Sequence, residues 1–327
     1  MQNINSKRVE DILNNAKGKS IAVIGDVMLD RYFWGTVTRI SPEAPVPVID
    51  VENESIHLGG AANVAQNLKS LGIEPLLCGV LGNDNSGKSF IDIANKLGLN
   101  PDGLYIDNNR PTTVKTRIIG NNQQIARIDR EVRTDITIAG LEHILANLSN
   151  IKDLSGIVLE DYNKGAITKQ LIHSVISYAT TKNIPVYVDP KKDNFFQYKG
   201  VTIFKPNRKE ATESLGIPLR TKEDVIDCGN KLLELLKCEN VLITLGAEGM
   251  MLFEKDGTVS SVQTKARHVA DVSGAGDTAI ATMAVALAGG SSVREAAALA
   301  NYASGIVCEK PGIVSIEIQE LIESVRN

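Results

Sequence analysis

Cysteines at metal-binding or redox spacing are missing from this chain. Its four cysteines, Cys78, Cys228, Cys238 and Cys308, stand far apart, without a C-x-x-C pair or a Cys/His cluster. That excludes a zinc ribbon and a disulfide framework, and it predicts reduced, packed thiols in a cytoplasmic protein. No run of about 18 apolar residues is present to cross a bilayer. Met1 to Lys19 is polar and helix-like and lacks the apolar centre of a signal peptide. Long Lys/Arg blocks are absent too, and the net charge is −4, which argues against nucleic acid as a partner and in favour of a small molecule. Repeats and low-complexity tracts are also lacking. What is present is the composition of an enzyme: 327 residues, 43% hydrophobic and 23% charged, are enough to bury a large core and too apolar for disorder.

Short apolar, β-branched runs alternate with helical patterns. Ser20 to Gly25, Leu76 to Leu81, Ile157 to Leu159, Val186 to Asp189, Val201 to Phe204 and Val241 to Leu245 read as buried strands. Asn63 to Leu71, Ser89 to Leu97, Thr137 to Leu148, Thr168 to Lys182, Lys222 to Lys237, Ala279 to Ala288 and Val293 to Glu309 read as helices. The alternation predicts an α/β fold with a mostly parallel sheet covered on both faces. Two segments, about 32–56 and 110–129, break the rhythm. They are richer in Thr, Val and Ile alternating with polar residues, with Pro42, Pro45 and Pro47 marking an edge, and they predict a small β lid inserted in a single domain over 1–327.

The densest chemical signal is Asp271-Val272-Ser273-Gly274-Ala275-Gly276-Asp277-Thr278, placed just before an apolar helix. With little side chain in the way, the N–H groups of Gly274, Ala275 and Gly276 are able to close around anionic oxygens, helped by the helix dipole. Asp277 beside that anion is a poor phosphate ligand but a good acceptor of a proton from an attacking hydroxyl. An N-capped helix with a glycine-rich lead-in would give the same letters. A second small-residue cluster, Gly59-Gly60-Ala61-Ala62-Asn63, also precedes a helix, so two clusters point to two ligands.

With Gly25-Asp26, these clusters resemble the two signatures of the ribokinase-like (PfkB) carbohydrate kinases, and the resemblance runs the length of the chain. Gly25 to Tyr32, Arg39 to Val48, Asn122-Gln123-Gln124 and Asp161-Tyr162-Asn163-Lys164-Gly165 narrow it to the branch whose acceptor is a heptose 7-phosphate. The resemblance implies ATP and Mg²⁺ as cofactors, a lid that closes over the sugar, and a homodimer formed through that lid. It also implies a second, adenylyltransferase domain in many members, so this chain is expected to be a stand-alone kinase or an excised domain. The loop Lys310-Pro311-Gly312-Ile313-Val314-Ser315 departs from the small hydroxyl residues expected there, which weakens the case for a K⁺ site.

Gly82-Asn83-Asp84-Asn85-Ser86-Gly87-Lys88-Ser89 also fits the G-x-x-x-x-G-K-[ST] phosphate loop. Against that, Asp84 places a negative charge where phosphates would sit, and no magnesium-binding strand end is paired with it. The resemblance makes this segment a strand-to-helix connection instead.

For the nucleotide, Asn207, Arg208, Lys209 and Glu210 end a strand and open a helix. Asn207 and Glu210 have the spacing of a capping box and also match the family motif that organises Mg²⁺, with Glu210 as the metal group, through water. The resemblance adds Thr244 and Gly246 as a nucleotide-contacting turn and Asn301 beside the adenine. For the acceptor, Asp26 and Asp30 near the end of the first strand are suited to accept from sugar hydroxyls, and Gly59, Gly60 and Asn63 to let the backbone approach. Asp26 could equally cap a turn, and the glycines could serve packing alone. Lys115, Arg117 and Arg127 alternate on lid strands and are candidates for a distal phosphate, or for a solvated strand face. Asp161 follows another strand end. Two other readings stay open: a kinase of this fold for another sugar or sugar phosphate, and a sugar- or nucleotide-binding regulator without turnover.

Overall fold

The computed structural model describes residues 4–264 and 270–326. The chain opens with α1 (Ser6–Ala16), β1 (Ser20–Gly25) and two long strands, β2 (Val27–Ile40) and β3 (Pro47–Gly60). It continues through α2 (Ala61–Ser70), β4 (Glu74–Gly82), α3 (Asn85–Lys96), β5 (Leu104–Asp107), β6 (Val114–Gly120) and β7 (Gln123–Arg130). The middle carries α4 (Ile138–Asn150), β8 (Leu154–Glu160), α5 (Lys169–Lys182), β9 (Val186–Asp189), β10 (Ile203–Phe204), α6 (Arg208–Leu215) and α7 (Lys222–Leu236). The last part carries β11 (Asn240–Thr244), β12 (Met250–Glu254), β13 (Val259–Val262), α8 (Ala275–Ala288), α9 (Val293–Cys308) and α10 (Ile318–Ser324).

Nine strands make one sheet in the order β13-β12-β11-β10-β9-β8-β1-β4-β5, parallel from β11 to β5 with β12 and β13 antiparallel at one edge. Alternation along each strand divides the core in two. Ile21, Val23, Val158, Tyr187 and Leu242 pack on the side of α1, α2, α8 and α9, whereas Ala22, Ile24, Ile157, Leu159, Val188 and Ile243 pack on the side of α4, α5 and α7. A strand buried on both faces must be apolar at every position, which is why the runs in the sequence are continuous. β1 lies between β4 and β8, so the chain leaves it first to one side and later to the other. The crevice at such a reversal, beyond the carboxyl ends of the strands, is where open sheets of this kind bind ligands.

The lid is a four-stranded sheet ordered β3-β2-β6-β7. The first of the two expected segments, 32–56, falls short of the core at both ends: β2 begins at Val27 and β3 ends at Gly60, because the strands continue into the buried core without a loop. The second segment, 110–129, resolves into β6 and β7, joined by Asn121 and Asn122, both with positive φ as a tight hairpin needs. A further boundary also moves. Helix α8 starts at Ala275 and not at Ala279, so Gly274 is its N-cap and Ala275, Gly276 and Asp277 form its first turn.

Candidate active site

Gly274 takes φ +79°, and a Cβ there would meet Asn63 Nδ2 at 2.7 Å. Only glycine lets the turn start α8 while Asn63 of α2 packs beneath it. Asp277, in that first turn, is 4% exposed. Its Oδ2 accepts from Asn63 Nδ2 at 2.8 Å and its Oδ1 from Tyr162 Oη at 2.9 Å. Burial pushes its carboxyl up to about 6; the Asn63 and Tyr162 donors work against that rise, and Asp189 adds to it. A carboxylate so tuned is ionised at neutral pH yet more basic than a surface aspartate, as a proton acceptor needs to be. Of the three N–H groups expected to form an anion hole, that of Ala275 bends back to the Val272 carbonyl at 3.3 Å. The helix N-terminus still presents its first-turn amides to the cavity.

Around Asp277 the carboxyl ends of three parallel strands deliver charged side chains that sequence reading did not pick out. Glu160 ends β8 and Asp189 ends β9, and their carboxylates and that of Asp277 approach within 4.8 Å of one another. Lys205, directly after β10, pairs with Asp189 at 2.6 Å, and Lys191 pairs with Glu210. Glu160 is fully buried with neither carboxylate oxygen hydrogen-bonded. Burial, with Asp189 and Asp277 nearby, holds its carboxyl well above the usual range. The available signal was positional: each of these residues stands at or just past the end of an apolar run.

Two cavities meet beside α8. One of about 510 Å³ is lined by Tyr162, Lys191, Lys205, Asn207, Gly276 and Asp277, among others, and is cationic as well as anionic. Its neighbour, of about 340 Å³, is lined by Ala247, Met250, Ala275, Asn301, Gly305 and Cys308, among others, and is largely apolar. Thr244, Gly246, Val272 and Gly276 line both, so the two make one bent cleft with a charged limb and an apolar limb. Such a cleft suits a molecule with a polyanionic end and a flat, weakly polar end. Asn301 sits on the apolar limb with its Nδ2 given to the Gln263 carbonyl at 2.9 Å. Asn207 caps α6 in a reciprocal box with Glu210, and the Glu210 carboxylate faces Lys191 across the cleft. A hard cation beside Glu210 fits this donor set, since it needs few direct protein ligands and the cluster around it is rich in negative charge. Arg208 and Lys209 also line the cleft; Arg208 pairs with Glu248 at 2.7 Å, and the exposed Lys209 with Glu213 at 3.7 Å.

The acceptor candidates separate into groups. Asp30 pairs with Arg117, and Lys115 is next to it in register on β6. Directly paired residues share a face of a sheet, so Asp30, Tyr32, His57, Lys115 and Arg117 form one surface, and Arg127 and Asp129 extend it on β7. Arg127 is half-exposed and bonds its own strand neighbour Asp129 at 2.9 and 3.0 Å, so it lies at the outer rim. The rest of that face is closed in. Lys115 Nζ lies 5.0 Å over the Tyr162 ring and the Arg117 guanidinium 5.1 Å over the Tyr32 ring. Gly60, with φ +60°, brings the backbone against the Asp26 carbonyl, and a Cβ on Gly59 would strike the Asp30 carboxylate at 2.0 Å.

Asp26 and Asp161 do other work than contacting an acceptor in this structure. The Asp26 carboxylate accepts from the N–H groups of Tyr162, Lys164 and Ala166 at 2.8, 3.0 and 2.9 Å and so fastens the loop after β8. Asp161 is fully buried, accepting from Tyr198 Oη at 2.6 Å, Asn163 N at 2.8 Å and Asn194 Nδ2 at 3.2 Å. It points into the core, and the next residue, Tyr162, reaches the cleft. The phosphate-loop look-alike is also tied up. Asp84 caps α3 through Gly87 N at 2.8 Å and accepts from Thr112 N at 3.2 Å, and the segment lines neither limb of the cleft.

Comparison with known proteins identifies the family and the fold. A family model described as pfkB family carbohydrate kinase matches residues 18–319. The curated "Bifunctional protein HldE" of Geobacter sulfurreducens is 42% identical over 320 residues, which is 98% of this chain and 65% of that protein. The protein of the same name from Desulfatibacillum aliphaticivorans is 41% identical over 302 residues, 92% of this chain and 62% of that one. The chain therefore spans about two thirds of the length of the curated relatives it matches. Among solved structures, Arabidopsis thaliana ribokinase complexed with ribose and ATP superposes with a TM-score of 0.75 at 22% identity, covering 95% of this chain and 99% of that one. Escherichia coli phosphofructokinase-2 in complex with fructose-6-phosphate gives 0.77 at 15% identity, over 95% and 98% of the two chains. At those identities the likeness is one of fold.

Proposed function

The chain belongs to the pfkB family of carbohydrate kinases, and from that premise we propose that it transfers the γ-phosphoryl group of ATP to the anomeric hydroxyl of D-glycero-β-D-manno-heptose 7-phosphate, giving the 1,7-bisphosphate. The observation that carries this reading is the position of Asp277: a buried carboxylate in the first turn of α8, between the cleft suited to a nucleotide and the lid face that bears Lys115 and Arg117. The Asp277 carboxylate takes the proton of the attacking hydroxyl, and the amides of the α8 N-terminus with Lys191 and Lys205 balance the charge of the migrating group. Mg²⁺ near Glu210 supplies further charge neutralisation when bound. The apolar limb beside Asn301 takes the adenine. Asp30, Gly59, Gly60 and Asn63 form the floor under the sugar, and closure of the lid keeps water from the phosphoryl group.

The choice of a phosphorylated heptose rests on the motifs at Gly25 to Tyr32, Arg39 to Val48, 122–124 and 161–165, and on the two basic side chains that share the Asp30 face. With that acceptor, the protein serves ADP-heptose formation for lipopolysaccharide in the cytoplasm, as a homodimer through its lid. Among the described residues no helix is long and apolar enough to cross a membrane.

A coupled ADP-release assay with ATP and Mg²⁺ tests the reading, comparing heptose 7-phosphate with ribose, fructose 6-phosphate and no acceptor. Turnover confined to heptose 7-phosphate is expected. Turnover with an unphosphorylated sugar and none with heptose 7-phosphate would discard the role given to Lys115 and Arg117.

A further inference from the structure

Tyr162 stands where the lid, the nucleotide cleft and Asp277 meet. Its Oη donates to Asp277 Oδ1 at 2.9 Å, while Asn63 holds the other carboxylate oxygen. Two ammonium groups lie over its ring, Lys115 Nζ at 5.0 Å from the lid strand β6 and Lys191 Nζ at 4.9 Å from the nucleotide side. The backbone beneath it is fastened on both sides. Asp26 takes the Tyr162 N–H, and Asp161 is locked into the core by Tyr198 and Asn194. The side chain is thus left with its own two torsions, and the bond to Asp277 and the two lysines over the ring restrict those.

The chain contains its own control for a purely architectural tyrosine. Tyr198 donates to Asp161 at 2.6 Å, a second tyrosine–carboxylate pair, but both partners are fully buried and neither lines the cleft. Tyr162 differs in all the features that bear on chemistry. It lines the charged limb, its acceptor is the residue assigned as base, and the cations on its ring come from the two halves of the site that must assemble for reaction. A donor to a carboxylate favours the ionised form and fixes which lone pair faces the incoming hydroxyl.

We propose that Tyr162 is a positioning residue for phosphoryl transfer: its hydroxyl holds Asp277 oriented and ionised for the acceptor, and its ring ties that bond to the lid through Lys115 and to the nucleotide side through Lys191. The proposal rests on the reading of Asp277 as the base. The other groups facing Asp277 are Glu160 and Asp189 from the ends of β8 and β9, Lys205 after β10, and Asn63 of α2. All of these stay in place when only the phenolic oxygen is removed.

The test is the pH dependence of kcat/KM from pH 5 to 9, measured by ADP release with ATP and heptose 7-phosphate, or with whichever acceptor the sugar comparison returns. Wild type is compared with Tyr162→Phe, Tyr198→Phe and Asp277→Asn. Loss of the donor should move the acidic limb of Tyr162→Phe upward by about half to one pH unit, so that its deficit at pH 6 exceeds that at pH 8 by roughly two- to fivefold. ATP affinity should be unchanged. Tyr198→Phe should lower the unfolding temperature and leave the limb where it is. Site-specific 3,5-difluorotyrosine at position 162, a stronger donor of nearly the same shape, should move the limb the opposite way. Curves of Tyr162→Phe that run parallel to wild type at every pH would overturn the proposal, as would a difluorotyrosine protein with an unmoved limb. An inactive Asp277→Asn alongside such parallel curves would remove the role of Tyr162 alone. An active Asp277→Asn with the wild-type limb would remove the base assignment and this proposal with it.

Discussion

The two sheets of this molecule are built on opposite terms. The central strands of the nine-stranded sheet are apolar on both faces, and Glu160, Asp189 and Lys205 gather at the carboxyl ends of β8, β9 and β10. Strands of the lid grow more exposed away from the core, and β7 is exposed at each of its eight positions. In the function we propose, the first sheet and helix α8 packed on it carry the base, the helix terminus and the phosphate cations. The second holds the groups that would distinguish one sugar from another. A kinase so divided keeps its chemistry on the rigid element and its choice of acceptor on the element with the least core to disturb.

The largest expected effect tests whether the chemistry belongs to the first sheet alone. Asp277→Asn should cut kcat by about 10²- to 10⁴-fold, the range for a lost general base, with ATP affinity kept. The same substitution should stabilise the fold. A carboxyl whose folded value is raised above 3.8 to about 6 favours the folded state when protonated, and that contribution is lost as pH rises through this window. Relative to wild type, the Asp277→Asn protein should therefore gain up to roughly 3 kcal/mol at pH 8, and the gain should vanish below about pH 4, as read by denaturant unfolding at the two pH values.

Next in size is the contrast in packing. Leu242→Ala, fully buried in β11, should cost about 2–5 kcal/mol by denaturant melts, whereas Ile128→Ala on β7, 57% exposed, should stay within about 0.5 kcal/mol. Similar losses at both positions would mean that the lid contributes to the same core. Smaller again is the effect on acceptor binding. Arg117→Ala should raise KM for the sugar phosphate by roughly tenfold, the scale of a charge-assisted contact, with KM for ATP nearly unchanged; equal rises in both would break the division between the sheets. Arg127→Ala, at the outer rim and already paired with Asp129, should change KM for the acceptor by less than about threefold.

Periodicity made the central sheet legible, because a strand buried on both sides leaves an apolar run and the helices between them leave a 3.6-residue rhythm. Most of the elements it missed lack such a run, although β12, with Met250 to Phe253 all buried, has one. β5 is four residues long, β13 is a half-exposed edge, and α10 has seven residues. The start of α8 is hidden in the sequence because Gly274 and Gly276 look like loop, yet only the first takes a non-helical conformation. Within the site, residues in glycine-rich clusters were found because small side chains near a carboxylate are unusual. Glu160, Lys191 and Lys205 were not found, since a single charge after an apolar run is an ordinary way for a strand to end. The sequence also does not distinguish Asp26 and Asp161, which hold a loop, from Asp30, which faces the lid cations. That difference lies in which backbone amides reach each carboxylate after folding.

The first hairpin of the lid joins the core at two adjacent points, and the second enters and leaves beside them at the paired residues Val114 and Arg130. β2 leaves at Val27, next to Asp26, and β3 returns at Gly60, with the N–H of Ala61 bonded to the Asp26 carbonyl at 3.0 Å. These attachments define a crease, and Asp26, Gly60 and, one helical turn away, Asn63 lie along it. At about 3.3 Å per residue, the fourteen residues of β2 make an arm of roughly 45 Å, so a tilt of about 10° at the crease sweeps the tip through roughly 8 Å. At the crease itself nothing travels. Asn63 and the Asp277 carboxylate it holds at 2.8 Å would therefore keep their registration to within a hydrogen bond under a tilt that displaces the far end of the same sheet by several ångströms.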